Sequence, residues 1–280
     1  MELLLNLLTI DFEEWYHPEY VRHVCPKEQT DNSRQDLSRT LSFLERCKTE
    51  ATFFIVGEIA QRNPDLITQL RDSRHEIAFH GFDHEPLWNK NAEMLRSEIE
   101  LFSSIIKKNC RGFRAPSFSL DHKTAWALKV LEDTGYTYDS SVFPAKTFLY
   151  GVEDAPLGPY KPSQSDLSRE DPRGKIWEFP LLVYSTFGLR LPVAGGFYLR
   201  LLPVSLILRA IRKANQNGNP AVLYCHTWEL NPETPKLKLG LYKSFVTYHN
   251  LQETSDRLYH VLSRSDFTSI GNYMEETGLL

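Results

Sequence analysis

Short apolar runs alternate with amphipathic stretches through the first half of the chain. The runs LLLNLLTI, ATFFIV and HEIAFH are short and largely apolar, which is typical of strands covered on both faces. In the stretch LSRTLSFLERC, Leu37, Leu41 and Leu44 recur at i, i+4 and i+7, the spacing of one helical face. The long amphipathic stretch NAEMLRSEIELFSSIIKKN and a fourth strand in CRGFRAP continue the alternation. The pattern predicts a parallel sheet whose strands are joined by helices in right-handed crossovers.

The second half of the chain is less regular. Residues 144–174 are rich in proline, glycine, serine and charge, which indicates an irregular insertion at the surface. Strand character resumes in KIWEFPLLVY and again in PAVLYCHTW, with a predicted helix between them that ends at Gly218. We therefore predict a single domain over residues 1–280, with an insertion at about 144–174 and a C-terminal extension after about residue 229.

Composition narrows the possible classes of protein. The chain has 280 residues, of which 41% are hydrophobic and 24% charged, as expected for a globular protein. The net charge of -4 does not favour nucleic acid as a partner. No apolar stretch approaches the ~20 residues of a transmembrane helix, and the first segment has Glu2 where a signal peptide carries positive charge. Four cysteines without a C-x-x-C pair are typical of unpaired thiols in a reducing compartment, so we expect a cytoplasmic protein.

Polar residues with ligating or proton-transfer chemistry follow several of the predicted strands. Because the carboxyl ends of parallel strands meet at one mouth of a barrel or doubly wound sheet, we expect these side chains to lie together. Two imidazoles and one carboxylate make a hydrolytic Zn²⁺ site with an open position, and the same ligands with more open positions suit Fe²⁺ or Co²⁺. The residues are Asp11, Glu13 and Glu14 after the first strand, His80 and His84 after the third, Arg114 after the fourth and His226 after the late strand.

Five short motifs occur along the chain in the order TIDF, TFFIVG, HGFDH, RAP and AVLYCH. In this order they resemble the polysaccharide deacetylase superfamily, the NodB-homology domain of carbohydrate esterase family 4. The later segments GGFYLRLLP and YCHTWELNPETP resemble the subgroup found with bacterial exopolysaccharide gene clusters. The resemblance implies a distorted (β/α) barrel of about seven parallel strands. It also implies a metal-dependent hydrolase that removes N-acetyl groups from an N-acetylated polysaccharide or its lipid-linked precursor.

The resemblance also implies roles for individual residues. Asp11 matches the general base, and Arg114 matches the arginine that positions this base and keeps it ionised. His226 matches the general acid that protonates the departing amine. The backbone N–H of Ser117, just after RAP, matches the donor to the oxyanion.

Two positions depart from the family pattern. Phe12 stands where the family has a metal-binding aspartate, and Phe cannot ligate a metal. Strand alternation puts Asp11 and Glu13 on one face, so we predict Glu13 as the third ligand beside His80 and His84, with Glu14 in reserve. Gly81 replaces a common Ser or Thr, so a hydrogen bond that supports a ligand histidine is expected to be lost.

The acid that orients His226 is left open between Asp139 in YDSSVFP and Glu178 in WEFP, because both lie near predicted strand ends. His17 has no partner pattern and is expected to be structural or exposed. Cys225 adjoins His226, but strand alternation points it to the opposite face, which argues against a thiol nucleophile.

Two other functions fit the same motifs less well. The first is a related metal-assisted C–N hydrolase that acts on a small linear or cyclic amide. The second is a non-catalytic sugar-binding module that kept the barrel and lost the metal. The first would release ammonia or open a ring, and the second would bind sugar without hydrolysing it.

Overall fold

The structure of the chain is a computed structural model that describes residues 4–26, 29–107, 110–147 and 150–280. The start of the predicted first strand at Leu3 and the end of the predicted long helix at Lys108 and Asn109 lie outside the described residues. Residues 148–149 of the predicted insertion lie outside them as well.

The strands are named β1 to β12 in chain order. They are β1 (Asn6–Phe12), β2 (Thr52–Ile55), β3 (Glu76–Phe79), β4 (Gly112–Phe113), β5 (Tyr138–Asp139), β6 (Pro162–Ser163), β7 (Asp166–Glu170), β8 (Trp177–Glu178), β9 (Val183–Thr186), β10 (Leu189–Pro192), β11 (Val222–His226) and β12 (Phe267–Thr268).

The α-helices are named in the same way, and short 3₁₀ turns also occur. The helices are α1 (Glu19–Arg22), α2 (Ser33–Cys47), α3 (Gly57–Arg62), α4 (Pro64–Arg71), α5 (Ala92–Ile106), α6 (Trp126–Asp133), α7 (Phe197–Leu201), α8 (Val204–Gln216), α9 (Leu241–Tyr248), α10 (Thr254–Leu262) and α11 (Ile270–Thr277). None of the helices in the described part of the chain has both the length and the apolar character needed to cross a bilayer.

The main sheet is parallel and curls into a half-barrel. Its strands follow the order β11-β1-β2-β3-β4-β5-β8, and β12 pairs with the beginning of β1. Every neighbouring pair along this path is parallel. In the register between β1 and β11, Asp11 lies opposite His226. The predicted distorted (β/α) barrel of about seven parallel strands is confirmed.

Strand β1 lies at the centre of the core, because all seven of its residues are buried. Phe12, the last residue of the strand, is fully buried and belongs to the same apolar cluster as Phe53 and Phe54 of β2. The phenyl ring at this position therefore packs into the core. This placement gives a structural reason why the residue after Asp11 contributes to folding and not to the mouth of the barrel.

The two long helices of the first half form where the apolar spacing predicts them. In α2, Leu37 and Leu44 are fully buried while Leu41 is partly buried against the core. In α5, the side chain of Asn91 accepts a hydrogen bond from the Met94 N–H at 3.0 Å and caps the first turn.

Two parts of the second half have more regular structure than their composition indicates. Within the predicted insertion at 144–174, β6 and β7 form an antiparallel pair. Strands β9 and β10 form a hairpin whose turn places Phe187 and Gly188 at φ values of 47° and 77°. Beyond residue 229, α9, α10 and α11 follow, and β12 joins the main sheet through β1.

Candidate active site

The ends of four parallel strands bring the predicted polar residues to one cleft. Asp11 is the next-to-last residue of β1, His80 and Arg114 directly follow β3 and β4, and His226 ends β11. The cleft is lined by residues of these strand ends together with aromatic residues from later segments. Lining residues include Asp11, Glu13, His80, His84, Ser117 and His226.

Glu13, His80 and His84 form a buried cluster that could hold a metal ion. One ligand atom from each residue lies within 4.8 Å of the others. The Nε2 atom of His84 is 2.5 Å from Oε2 of Glu13, and Nε2 of His80 is 3.9 Å from the same oxygen. Two imidazoles and one carboxylate are a donor set found in hydrolytic zinc sites, so these residues fit a divalent cation.

His80 presents an unprotonated nitrogen to the cluster, and His84 directs its Nε2 atom to Glu13. Nδ1 of His80 lies 2.8 Å from the carbonyl oxygen of Arg114, and because a carbonyl only accepts, Nδ1 carries the proton and Nε2 keeps its lone pair. Burial lowers the pKa of His80 to about 4, which keeps the ring neutral. The carbonyl of Arg114 therefore orients His80 without any side chain at position 81. Nδ1 of His84 is buried and has no hydrogen-bond partner among the described residues.

Glu13 is held in the cluster by Trp228, whose indole N–H donates to Oε1 at 3.0 Å. Burial alone would raise the pKa of Glu13, but the attraction of His84 and His226 outweighs it and lowers this pKa well below its usual range. The carboxylate is therefore ionised and ready to bind a cation.

Glu14 points to a different part of the molecule. Its carboxylate accepts hydrogen bonds from the N–H of Ser33 at 2.9 Å, from the Ser33 hydroxyl and from the N–H of Asn32, at the beginning of α2. Burial raises the pKa of Glu14 to about 8. Glu14, the alternative ligand, thus caps α2 and does not reach the cluster. Its side chain points away from that of Glu13, as the predicted alternation requires.

Asp11 lies between the guanidinium of Arg114 and the histidines. Nη1 of Arg114 donates to Oδ1 of Asp11 at 2.7 Å and to the hydroxyl of Thr9 at 2.8 Å. Oδ2 of Asp11 is 3.9 Å from Nε2 of His80 and 4.0 Å from Nε2 of His226. Arg114 is fully buried and lies 4.2 Å above the Phe54 ring, so its position is fixed by packing as well as by hydrogen bonds.

Neither of the two acids predicted to orient His226 does so, because the acid beside this histidine is Glu229. Oε2 of Glu229 lies 2.9 Å from Nδ1 of His226 and accepts from the His226 backbone N–H at 3.1 Å. Nε of Arg200, a buried residue, donates to the other oxygen of Glu229 at 2.9 Å. The three side chains form a continuous Arg200–Glu229–His226 chain of charge-assisted hydrogen bonds.

These contacts determine the charges of Glu229 and His226. Burial opposes ionisation, but the positive charges of His226 and Arg200 lower the pKa of Glu229 to about 2. Burial likewise opposes the charge on His226, but Glu13 and Glu229 raise its pKa to about 9. Nδ1 of His226 therefore carries a proton that points to Glu229, and Nε2 faces the cleft.

Asp139 and Glu178 lie behind the loop that follows β4. Asp139 accepts from the hydroxyl of Ser141 at 2.6 Å, and the same hydroxyl accepts from the Ala115 N–H at 2.7 Å. Glu178 accepts from the Val142 N–H at 3.0 Å. Burial raises the pKa of both carboxyls. These hydrogen bonds hold backbone segments in place and do not reach His226. A position near a strand end in the sequence therefore did not show which group these two acids would bind.

The segment after Arg114 makes a sharp turn at the cleft. Ser117 and Phe118 have φ values of 55° and 51°, in the left-handed region that non-glycine residues seldom adopt. Both residues line the cleft. Such a turn exposes backbone N–H groups, and the predicted oxyanion donor belongs to it.

Two supporting residues were missed by the sequence analysis. His17 is buried, stacks on His84 with 5.2 Å between ring centroids, and lies 2.9 Å from Oε1 of Glu58. Glu229 stands three residues after His226, and the two form a reciprocal capping pair at a 3₁₀ turn. The spacing of an N-cap residue and a Glu three positions later was the signal that could have found Glu229.

Comparisons with known sequences find similarity to deacetylases over part of the chain. A family model described as Polysaccharide deacetylase matches residues 30–138, and a model for a domain of unknown function, DUF3473, matches residues 140–275. The peptidoglycan-N-acetylglucosamine deacetylase of Bacillus cereus is 39% identical over 94 residues, which are 34% of this chain and 37% of that protein. Peptidoglycan deacetylase-like protein FGM2 of Gibberella zeae is 32% identical over 126 residues, 43% of this chain and 36% of that protein. The match thus spans little more than a third of the length of either relative.

Solved structures share the fold over nearly the whole chain. A crystal structure from Mycobacterium smegmatis assigned to the polysaccharide deacetylases has a TM-score of 0.54 at 16% identity and covers 96% of this chain and 88% of that one. A second crystal structure is that of a mutant of BA3943, a CE4-family pseudoenzyme, in which enzymatic activity is restored. It has a TM-score of 0.50 at 13% identity and covers 97% of this chain and 67% of that one. Residues 30–138 therefore match the polysaccharide deacetylase family by sequence, and the chain as a whole shares the fold of these solved structures.

Proposed function

We propose that this protein is a metal-dependent deacetylase that removes N-acetyl groups from an N-acetylated polysaccharide or its lipid-linked precursor. The observation that carries the proposal is the position of the Glu13–His80–His84 cluster. It lies between a carboxylate held by Arg114 and a histidine held by Glu229. Metal binding, a general base and a general acid are the three functions that a metal-assisted hydrolysis of an amide uses.

The cluster is proposed to hold one divalent cation, with Zn²⁺ favoured by its two imidazoles and one carboxylate. When bound, such a cation lowers the pKa of a water ligand toward ~7 and polarises the carbonyl of the amide. The chain contributes the donor atoms and their orientation. Trp228 holds Glu13, and the Arg114 carbonyl holds His80, so both ligands are aligned before a cation arrives.

Asp11 is proposed as the general base. Its Oδ1 atom is held by Arg114, whereas Oδ2 faces the cluster and is the oxygen that takes a proton from the attacking water. Arg114 fixes the direction of the carboxylate through a direct, charge-assisted hydrogen bond. The pair is buried, so its orientation does not depend on mobile surface side chains.

His226 is proposed as the general acid. Its Nε2 atom faces the cleft 4.0 Å from Oδ2 of Asp11 and donates a proton to the departing amine. Glu229 holds the ring through Nδ1 and stabilises its protonated form, and Arg200 in turn holds Glu229. Glu229 and Arg200 are positioning residues in this scheme. The backbone N–H of Ser117 is proposed to stabilise the negative oxygen of the tetrahedral intermediate.

The substrate is proposed to be a glycan that contains N-acetylated amino sugars, as the name of the Bacillus cereus relative describes for that protein. The likeness of GGFYLRLLP and YCHTWELNPETP to the exopolysaccharide-associated subgroup favours a bacterial exopolysaccharide. A cytoplasmic location is proposed because all four cysteines are free thiols.

Acetate release tests the function. The purified chain loaded with Zn²⁺ is expected to release acetate from N-acetylglucosamine oligomers and to lose this activity in a chelator. Asp11→Asn is expected to lower kcat by ~10²- to 10⁴-fold, the usual contribution of a general base.

The other two functions predict different results in the same assay. A small-amide hydrolase would give ammonia or a ring-opened product from small amides and no acetate from any acetylated glycan. A sugar-binding module would bind glycans equally with chelator and with Asp11→Asn, and would release no acetate. Either result would replace the proposed function.

A further inference from the structure

The segment that leads into α9 carries an alternating pattern of leucines and lysines beside the cleft. In the sequence PKLKLGLYKSF, Leu237 and Leu239 are partly buried against a small apolar cluster that contains Trp15 and Trp228. Lys236 precedes Leu237, Lys238 lies between the two leucines, and both lysines are exposed. The two leucines therefore anchor the segment, and the two lysines project to the surrounding medium.

The beginning of α9 continues this surface with apolar side chains. Leu241 is 94% exposed, Tyr242 is 61% exposed and Phe245, one turn further on, is 46% exposed. Positions 241, 242 and 245 share one face of a helix because they are separated by three and four residues. A leucine that is almost wholly exposed has no packing role in the folded chain. Together with the two partly exposed aromatic rings it forms an apolar surface that requires an explanation.

The charge around this surface is positive, although the whole chain has a net charge of -4. Lys236, Lys238 and Lys243 lie within eight residues, and no aspartate or glutamate occurs between Glu233 and Glu253 in the sequence. Among the described residues, none of the three lysines takes part in an ion pair, whereas Glu19 on the facing segment is paired with Arg22 at 3.1 Å. The surface therefore complements an anionic partner.

The surface lies at the edge of the catalytic cleft. Tyr242 contacts Tyr20 edge to face at 6.0 Å between ring centroids, and Lys243 lies 5.9 Å above the same Tyr20 ring. Tyr20 and Val246 line the cleft. A partner that covers the beginning of α9 would therefore lie next to the opening through which the substrate enters.

We propose that the surface formed by Lys236, Lys238, Leu241, Tyr242, Lys243 and Phe245 docks on an anionic lipid bilayer. Leucine inserts into the acyl boundary, tyrosine and phenylalanine lie in the interfacial region, and lysines bind the phosphate headgroups. An extended neutral glycan is the less suitable partner because it offers no negative charge to the three lysines and no acyl chains to the almost wholly exposed Leu241. Docking in this orientation presents the cleft to a glycan held at the membrane surface.

Vesicle sedimentation tests the docking without substrate, so its outcome is independent of the proposed deacetylation. The full chain is expected to bind phosphatidylcholine vesicles that contain about 30% phosphatidylglycerol, to bind pure phosphatidylcholine weakly, and to dissociate at ~0.5 M salt. Replacing the three lysines by glutamine should lower the partition coefficient by about 100-fold, roughly fivefold for each charge. Leu241→Ser should lower it by about tenfold.

Matched variants control for net charge and for surface hydrophobicity. Replacing Lys123, Lys129 and Lys175, which are exposed elsewhere, by glutamine changes the charge equally and is expected to leave vesicle binding intact. Leu189→Ser, at a side chain that is 72% exposed on β10, is the control for Leu241→Ser.

Three results would overturn the docking proposal. The first is the absence of binding to anionic vesicles at low salt. The second is equal loss of binding in the control variants. The third is unchanged vesicle binding in Leu241→Ser and the triple lysine variant together with a raised KM for soluble acetylated oligomers, which would assign the surface to the glycan.

Discussion

Nδ1 of His226 lies 2.9 Å from Oε2 of Glu229, and Arg200 holds the opposite oxygen of the same carboxylate. The two paired residues are only three positions apart, on either side of the end of β11. A single short turn therefore supplies both the histidine that faces the cleft and the acid that orients it. This arrangement makes the histidine independent of acids on more distant strands.

Glu229→Gln is expected to lower kcat by about 10- to 100-fold, with a smaller effect on KM, because the histidine loses a charged partner and not a substrate contact. Glu229 raises the pKa of His226, which must be protonated to act as an acid. Removing the negative charge lowers this pKa, so the alkaline limb of the kcat profile should move to lower pH. Steady-state kinetics over a range of pH measures both effects.

Glu233→Gln is the matched control, since Glu233 is an exposed glutamate of the same segment that pairs with Arg39. It should leave the pH profile unchanged. A Glu229→Gln enzyme with a normal alkaline limb and reduced thermal stability would show that Glu229 has a structural role alone.

Glu13→Ala is expected to abolish stoichiometric binding of a divalent metal, whereas Glu14→Ala should retain it. The two carboxylates are adjacent in sequence, but Glu13 lies 2.5 Å from His84 while Glu14 binds the beginning of α2. Metal content of the folded proteins after dialysis, measured by mass spectrometry, distinguishes the two. Loss of metal in Glu14→Ala with retention in Glu13→Ala would contradict the assignment of the third ligand.

Asp36→Asn is expected to make stability less dependent on pH. Asp36 is fully buried and accepts from the Asn231 amide at 2.6 Å, while its second oxygen has no partner among the described residues. Burial raises its pKa from 3.8 to about 6. The folded state therefore binds the proton more tightly than the unfolded state, so the contribution of Asp36 to stability is greatest below pH ~4 and is lost as the pH rises to ~6.

Asparagine carries no charge at any of these values of pH. The free energy of unfolding of Asp36→Asn relative to the unchanged protein should therefore rise between pH 4 and pH 7, by at most about 3 kcal/mol. Urea unfolding at several values of pH measures the difference. A difference that is constant over this range would show that Asp36 titrates normally in the folded protein.

The parallel sheet could be predicted because each strand of the first half is a compact apolar run followed by a helix with a clear apolar face. A strand period of two also separates the direction of Glu13 from that of Glu14, and the structure places Glu13 beside His84 and Glu14 at the beginning of α2. The division of the chain into one domain with an insertion and an extension remains a prediction.

Other features are harder to predict because their signals are local and weak. The β9–β10 hairpin depends on a turn in which Phe187 adopts a left-handed φ, which its sequence does not favour. Glu229 acts through a 3₁₀ turn, where neither the strand period nor the helix period applies. Asp139 and Glu178 were misassigned because a position near a strand end does not specify which backbone groups a carboxylate will bind.

The opposition of Asp11 and His226 in the register of β1 and β11 has a practical consequence for engineering this barrel. The spacing between the two proton-transfer groups is a dimension of the sheet, fixed at ~4.8 Å between neighbouring strands. Segments around the opening, such as the one that carries Tyr20, can therefore be exchanged or lengthened to accept a different glycan while the reacting pair keeps its separation. His84, which is carried by a loop, is the part of the site that such exchanges would put at risk.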